Sequence, residues 1–341
     1  MPALPTDPAL PRLEAALDRD RAEAVLRAAH PALASARLMS AHLLRYKPGK
    51  RCLIEYRFAG PSAASFRLFG KMQAKGVDRK SLDLQRQLHA GAFGPAATDR
   101  IRVPEPLGGV PELHLWLQRW VPGISLGDLL GTSRAAELTT RAADALVKLQ
   151  IMGPAPLRVW SLADELRVLR ERHAIGAALL PSFERPFTEL LLGSERLAAR
   201  LPPSRPTPAH RDFYPDQLML RGEDLYLVDL DVYALADPAL DAGNFEAHLL
   251  ELKVRGRGDP AALERAAHAF RDRFMDRCPT VPPLAIEHYL TLSLVRLAFL
   301  APLFPDRHRA LPTLIDVARA RLLRARFFET SDRRPLELAR G

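Results

Sequence analysis

Cysteine is almost absent: Cys52 and Cys278 are the only two in 341 residues. They stand far apart and form no CxxC pair. That excludes a disulfide framework and a thiolate zinc site, and makes a reducing compartment the default. Lysine is scarce as well, with seven of the 49 basic residues being lysine and 42 arginine. Aromatic residues make up only 7% and are not interleaved with a basic stripe, which excludes the pattern that grips single-stranded nucleic acid. The most apolar stretch, residues 289–304, carries Arg296 and Pro302 and falls short of a membrane span, so a buried helix is expected there. The opening MPALPTDPALPRLEAALDRD lacks a basic start followed by an apolar run. No secretion signal is therefore expected, and the chain is read as cytoplasmic, with neither nucleic acid nor a membrane as partner.

What is present is ordinary for a globular protein, with 48% hydrophobic and 26% charged residues and enough length for two lobes. The net charge is +9, but it is unevenly spread. Residues 207–250 hold nine acids against two bases, whereas from Glu251 onward bases outnumber acids 17 to 11. An acidic island in a basic chain suits a cation-binding centre.

The patterning separates the chain into parts. Residues 1–35 read as a helical segment with start signals at Asp7 and Pro8. Residues 36–118 read as β-rich: two strands around the tight KPGK (47–50), a third at 65–73, a helix over 79–90 and a buried strand over 113–121. Residues 119–330 read as mostly helical, interrupted by β character at 217–229, and 331–341 as a loose tail.

The segment PAHRDFYPDQLMLRGEDLYLVDLDVYALADPALDAGNF, residues 208–246, holds the densest chemistry. Two apolar runs, LML and LYLV, flank RGED, which predicts a β-hairpin. A turn centred on Glu223 sets Leu220 opposite Tyr226, Leu218 opposite Val228 and Gln217 opposite Asp229, with Cβ atoms about 4.5–5.5 Å apart. An amide oxygen and a carboxylate so placed can share one hard cation such as magnesium. Asp212 lies on a loop five residues before Gln217, stiffened by Pro215. Metal ligands beside a loop carboxylate that orients a hydroxyl are what phosphoryl transfer requires. Singly, His210 could be a core histidine and Asp229 a strand end; the consistent spacing favours the functional reading.

His210-Arg211-Asp212, a ligand five residues on and an Asp after a hairpin resemble the kinase signature, with Asp229-Leu230-Asp231 in place of DFG. The continuation through Ala236-Asp237-Pro238 and Asp241 resembles the aminoglycoside phosphotransferase and choline kinase-like family. The resemblance implies an α+β, protein-kinase-like fold with a small β-rich lobe and a larger helical lobe. It implies Asp212 as catalytic base, His210 and Asp241 as braces of its loop, and Gln217 and Asp229 as ligands of Mg2+. Lys71 would contact the α/β-phosphates of ATP or GTP, and the turn at Lys47, Gly49 and Lys50 would cover the phosphates. Backbone groups of Gln118, Arg119, Trp120 and Val121 would bind the base. The chain departs from the pattern in three places. Gln217 replaces the usual Asn, Arg211 replaces a small residue, and the helix after Lys71 offers only Ser81, Asp83 and Gln85 where a glutamate is expected.

The expected function is transfer of a nucleotide γ-phosphate to a hydroxyl of a sugar, an amino alcohol or an aminoglycoside-like acceptor. The basic balance after residue 250 speaks against a polycationic one. The alternative is a kinase-like protein that binds nucleotide or acts as a scaffold without catalysis.

Overall fold

The structure, a computed structural model, describes residues 7–60 and 65–332. The tail expected at 331–341 lies almost wholly outside the described residues. The chain starts with α1 (Leu13–Leu17) and α2 (Arg19–Ala29). The segment read as one helix is two, because Asp18 takes an extended backbone and accepts a hydrogen bond from Arg21 N as the N-cap of α2. Asp7, expected to start a helix, lies ahead of α1 instead.

Next come β1 (Arg37–Lys47), β2 (Arg51–Ala59), β3 (Ser65–Gln73) and α3 (Arg79–Ala90), the last capped by Asp78. They are followed by β4 (Ile101–Arg102), β5 (Pro106–Val110) and β6 (Leu115–Arg119). After β7 (Ile124–Ser125) and α4 (Leu126–Leu129) the chain becomes helical, with α5 (Ala135–Met152), α6 (Leu162–Leu179) and α7 (Glu184–Ala198). Four short strands interrupt: β8 (Thr207–Ala209), β9 (Leu218–Arg221), β10 (Asp224–Leu227) and β11 (Ala234–Ala236). The described chain ends with α8 (Ala239–Val254), α9 (Pro260–Arg277), α10 (Pro283–Leu300) and α11 (Leu311–Asp332).

These elements form two compact units, Met1–Gly123 with Met219–Asp231, and Ile124–Leu218 with Val232–Gly341. In the first, an antiparallel sheet runs β1-β2-β3-β6-β5. Leu13, Ala22 and Leu26 of the two N-terminal helices pack with Ile54, Tyr56, Phe58 and Leu68 of the sheet in one core, and the buried Tyr56 hydroxyl donates to Ala16 O at 2.9 Å. The N-terminal helices thus belong to this unit and not to a separate segment.

The hairpin, expected within the helical part, also belongs to the first unit. Its second strand β10 pairs in parallel with β4, Leu225 with Ile101 and Tyr226 with Arg102.

In the second unit α8 is buried on nearly all sides and packs against α10 so closely that a Cβ on Gly243 would lie 2.5 Å from Leu290 N. Phe213, Phe245, Phe270 and Phe274 stack in the core, with Phe245 and Phe270 4.2 Å apart. Each such side chain contributes about 1.5–3 kcal/mol by burial. The apolar stretch Pro283–Leu303 is long and apolar enough by composition to cross a membrane, contrary to the sequence reading, but 78% of its 18-residue apolar window is buried within the fold. The structure therefore uses it as a core helix.

Candidate active site

The hairpin does not have the expected register. Its strands end at Arg221 and resume at Asp224, leaving a two-residue connection, Gly222-Glu223. Gly222 has φ +57°, the left-handed conformation that the first position of a type II′ turn gives to glycine. A two-residue connection pairs Leu220 with Leu225, both buried, and Met219 with Tyr226, both half-buried, as opposed residues on a shared face must be. The expected pairing of Leu220 with Tyr226 would put a buried residue against a half-buried one. Gln217 precedes β9 by one residue and Asp229 follows β10 by two, so neither is a strand residue and the ribbon does not set them directly opposite.

In the first unit, β3 alternates between a face of Leu68, Gly70 and Met72, turned into the core, and a face of Phe69, Lys71 and Gln73. Lys71 Nζ lies 2.8 Å from Asp231 Oδ1 and 3.8 Å from Asp229 Oδ1, and 5.2 Å from the Trp116 ring centre. The other oxygen of Asp231 accepts from Arg51 at 2.6 Å. Burial would raise the pKa of Asp231, but the charge and hydrogen bond of Lys71, with Arg51, outweigh it and hold the carboxyl below its ordinary range.

Lys71 is thus paired with Asp231 and not with a residue of the α3 helix. The side chains considered there are engaged elsewhere. Ser81 bonds the capping Asp78, Asp83 pairs with Arg86, and Gln85 donates to Pro104 O. Sequence reasoning missed Asp231, although the acid two residues after Asp229 in VDLD was a usable signal.

The turn between β1 and β2 is where it was expected, with Gly49 at φ +69°. Its Gly49 N–H donates to Asp7 Oδ2 at 2.8 Å, and Tyr46 Oη donates to the same oxygen at 2.9 Å. Lys47 and Lys50 flank it on the surface. At the end of β6, Arg119 N–H donates to Glu105 O at 2.8 Å and Trp120 N–H to Arg67 O at 3.1 Å. Gln118 lies inside the sheet, between Phe69 and Pro106. Of the four residues expected to meet a base, Val121 keeps a backbone N–H without a backbone partner among the described residues.

In the second unit the loop carrying Asp212 leaves β8 and is fastened from α8. Asp241, fully buried, accepts His210 N–H at 2.7 Å and Arg211 N–H at 2.8 Å. Burial raises its pKa, while the charge of His210 and these bonds pull the other way. One turn further along α8, Asn244 Nδ2 donates to Phe213 O at 2.9 Å, and its Oδ1 accepts from Arg296. The loop turns through Arg211 at φ +68°, a left-handed backbone that an arginine holds only under such constraint.

His210 and Phe213 are fully buried and meet edge to face at 5.9 Å. Asp212 between them is half-buried, and among the described residues its carboxylate makes no hydrogen bond or ion pair. Gln217, 4% exposed in the one-turn helix Pro215–Gln217, likewise makes no side-chain hydrogen bond among the described residues. The Gln217 amide and the Asp229 carboxylate are the hard oxygen donors that magnesium takes. Among the described residues no group of three or more His, Cys, Asp or Glu gathers to hold a metal. Magnesium needs few protein ligands, since it draws others from phosphates and water.

Comparison with known proteins gives the family and the fold. The sequence model of the phosphotransferase enzyme family matches residues 78–279. No curated protein matches the chain in sequence. Among solved structures, a choline kinase from Cryptosporidium parvum is similar with a TM-score of 0.62 at 11% identity, over 92% of this chain and 97% of that one. A choline/ethanolamine kinase family protein from Mesorhizobium loti scores 0.55 at 18%, over 90% and 98%. Aminoglycoside phosphotransferase APH(4)-Ia, in a ternary complex with AMP-PNP and hygromycin B, scores 0.58 at 14%, over 89% and 98%. At these identities the likeness is one of fold, and the fold is the kinase-like one, with a sheet-rich N-terminal part and a helical C-terminal part.

Proposed function

The chain belongs to the phosphotransferase enzyme family, and on that premise we propose that it moves the γ-phosphate of ATP or GTP onto a hydroxyl of a small molecule. The observation that carries this reading is the unengaged carboxylate of Asp212 on a loop that Asp241 and Asn244 hold rigid. Two buried neighbours, His210 and Phe213, fix the loop on either side, so the carboxylate is positioned without being neutralised. That is what a base orienting a hydroxyl needs.

In the proposed reaction the acceptor oxygen forms a bond to the γ-phosphorus as the bond to the bridging oxygen of the leaving diphosphate breaks. Asp212 takes the hydroxyl proton. Lys71, steadied by Asp231, meets the α/β-phosphates, and the Val121 N–H meets the edge of the base. A magnesium ion held by Gln217 and Asp229 would draw charge off the phosphates. Positioning and electrostatics supply most of the acceleration in such reactions.

The test is a thermal-shift measurement with Mg·ATP and Mg·GTP on the native protein and on Asp229→Ala. The native protein should be stabilised by at least one nucleotide, and the variant much less. No shift with either nucleotide would remove the reading. A shift without nucleoside diphosphate release across a panel of polyols and amino alcohols would favour a nucleotide-binding protein without transferase activity.

A further inference from the structure

Arg211 has no task in the scheme above, yet it adjoins the proposed base. Its guanidinium lies over the ring of Trp160, 3.3 Å from the centre, and NH1 donates to Val232 O at 2.8 Å. Nε is buried with no hydrogen-bond partner. Among the described residues no carboxylate comes within the 4.0 Å of an ion pair.

The surroundings add positive charge. Arg158 and Arg167 also face the Trp160 ring, at 4.9 and 5.5 Å. Arg167 is matched by Asp164 and Glu171, whereas Arg158 has no ion pair among the described residues. Glu165, a nearby acid, is engaged elsewhere: it accepts from Trp160 Nε1 and lies 3.8 Å from Arg296. Asp241 is taken up by the two backbone N–H groups of the loop. Burial above all, with repulsion from Arg158 and Arg296, brings the pKa of Arg211 down to about 10 against the pull of Glu165 and Asp241.

A largely buried cation with no carboxylate in ion-pair contact is costly, and an arriving anion would relieve that cost. The planar fork of arginine matches the two oxygens of a carboxylate or phosphate. The same field repels a polycationic or quaternary ammonium compound.

We propose that the acceptor carries an oxyanionic group, a carboxylate or a phosphate monoester, which sits on Arg211 and Arg158 beside Trp160 while its hydroxyl meets Asp212. Arg211 and Asp212 are chain neighbours, their Cα atoms about 3.8 Å apart, so both belong to the one loop that Asp241 holds. The inference rests on Asp212 being the base.

The experiment compares glycerol, glycerate and glycerol 3-phosphate, with choline and kanamycin as cationic controls. Each is tested by thermal shift and by nucleoside diphosphate release. The proteins are the native chain, Arg211→Gln, Arg211→Lys and the more exposed Arg158→Gln. At least one anionic compound should raise Tm and be turned over with kcat/KM at least tenfold above glycerol. Arg211→Gln and Arg158→Gln should each raise its KM about tenfold or more, with kcat changed far less, and Arg211→Lys should recover part of the loss.

A response to glycerate alone assigns the carboxylate, and one to glycerol 3-phosphate alone the phosphate. Preference for neutral or cationic compounds, no response to either anion, or a KM indifferent to both arginines would overturn the proposal. The Mg·ATP and Mg·GTP shifts separate the two readings. If nucleotide stabilises but no anion does, the anion site falls and the kinase reading stands; the reverse removes the kinase reading and with it the acceptor role, leaving only anion binding at Arg211 and Arg158.

Discussion

Individual side chains carry the sharpest expectations. Asp212→Asn should lower turnover about 10²–10⁴-fold, the usual contribution of a positioned base, while the Mg·nucleotide thermal shift is kept; unchanged turnover would show that the base lies elsewhere. Gln217→Asn shortens the side chain by one methylene but keeps the amide oxygen, and kcat/KM should stay within about threefold. Asp231→Asn should cost about 1.5–3 kcal/mol through the loss of charge-assisted bonds to Lys71 and Arg51. The sign of its pH dependence follows from the depressed folded-state pKa. Stability from this group is complete above the ordinary carboxylate pKa and disappears as pH falls through the folded value. Urea titrations of native and Asp231→Asn protein should therefore differ near neutrality, begin to approach each other only below about pH 4, and converge once pH has fallen past the depressed folded-state value.

At this scale the sequence pointed to Asp241 as a brace of the loop at His210, and Asp241 accepts the backbone N–H groups of His210 and Arg211. It was silent on Trp160 beneath Arg211, since nothing local links positions fifty apart. It gave no sign that the amide N–H groups of Arg119 and Trp120 are already bonded to Glu105 and Arg67.

Single elements place these groups, and they fail in characteristic ways. The hairpin depends on Gly222. Open space surrounds the position of a Cβ there, so Gly222→Ala meets no clash but must hold φ +57°, at a cost of about 1–2 kcal/mol. Denaturant unfolding should report that loss, and nucleotide affinity should fall with it if Asp229 is a ligand. The existence of the hairpin could be read from LML and LYLV around RGED, but its register could not. Either residue of Gly222-Glu223 could have centred the turn, and one residue reverses which faces meet. Helices α3 and α5 were legible from their apolar spacing. Strand β5, with two glycines in PLGGV, and the three-residue strands β8 and β11 were not, because such short segments gain their order from the neighbour they pair with.

Across the whole molecule, the distribution of β character before residue 119 and helix after it was legible, while the assignment of residues 219–231 to the first unit was not. That assignment follows from a long-range parallel pair, β10 on β4, which no local pattern announces. Global stability should respond to packing between helices far from the candidate site. Gly243→Ala forces a methyl into the backbone of α10 and should lower stability by about 1–3 kcal/mol, read as a reduced Tm. Saturating Mg·nucleotide, at about a hundredfold over Kd, should raise stability by about 2.7 kcal/mol.

The bond from Asp7 to Gly49 spans 42 positions and ties the chain's beginning to the tip of its first hairpin. How the amino terminus is prepared is therefore not neutral. A cloning extension that displaces Asp7, or trimming that removes it, would untether that tip, and if the tip covers the phosphates, nucleotide affinities measured on differently processed batches would disagree.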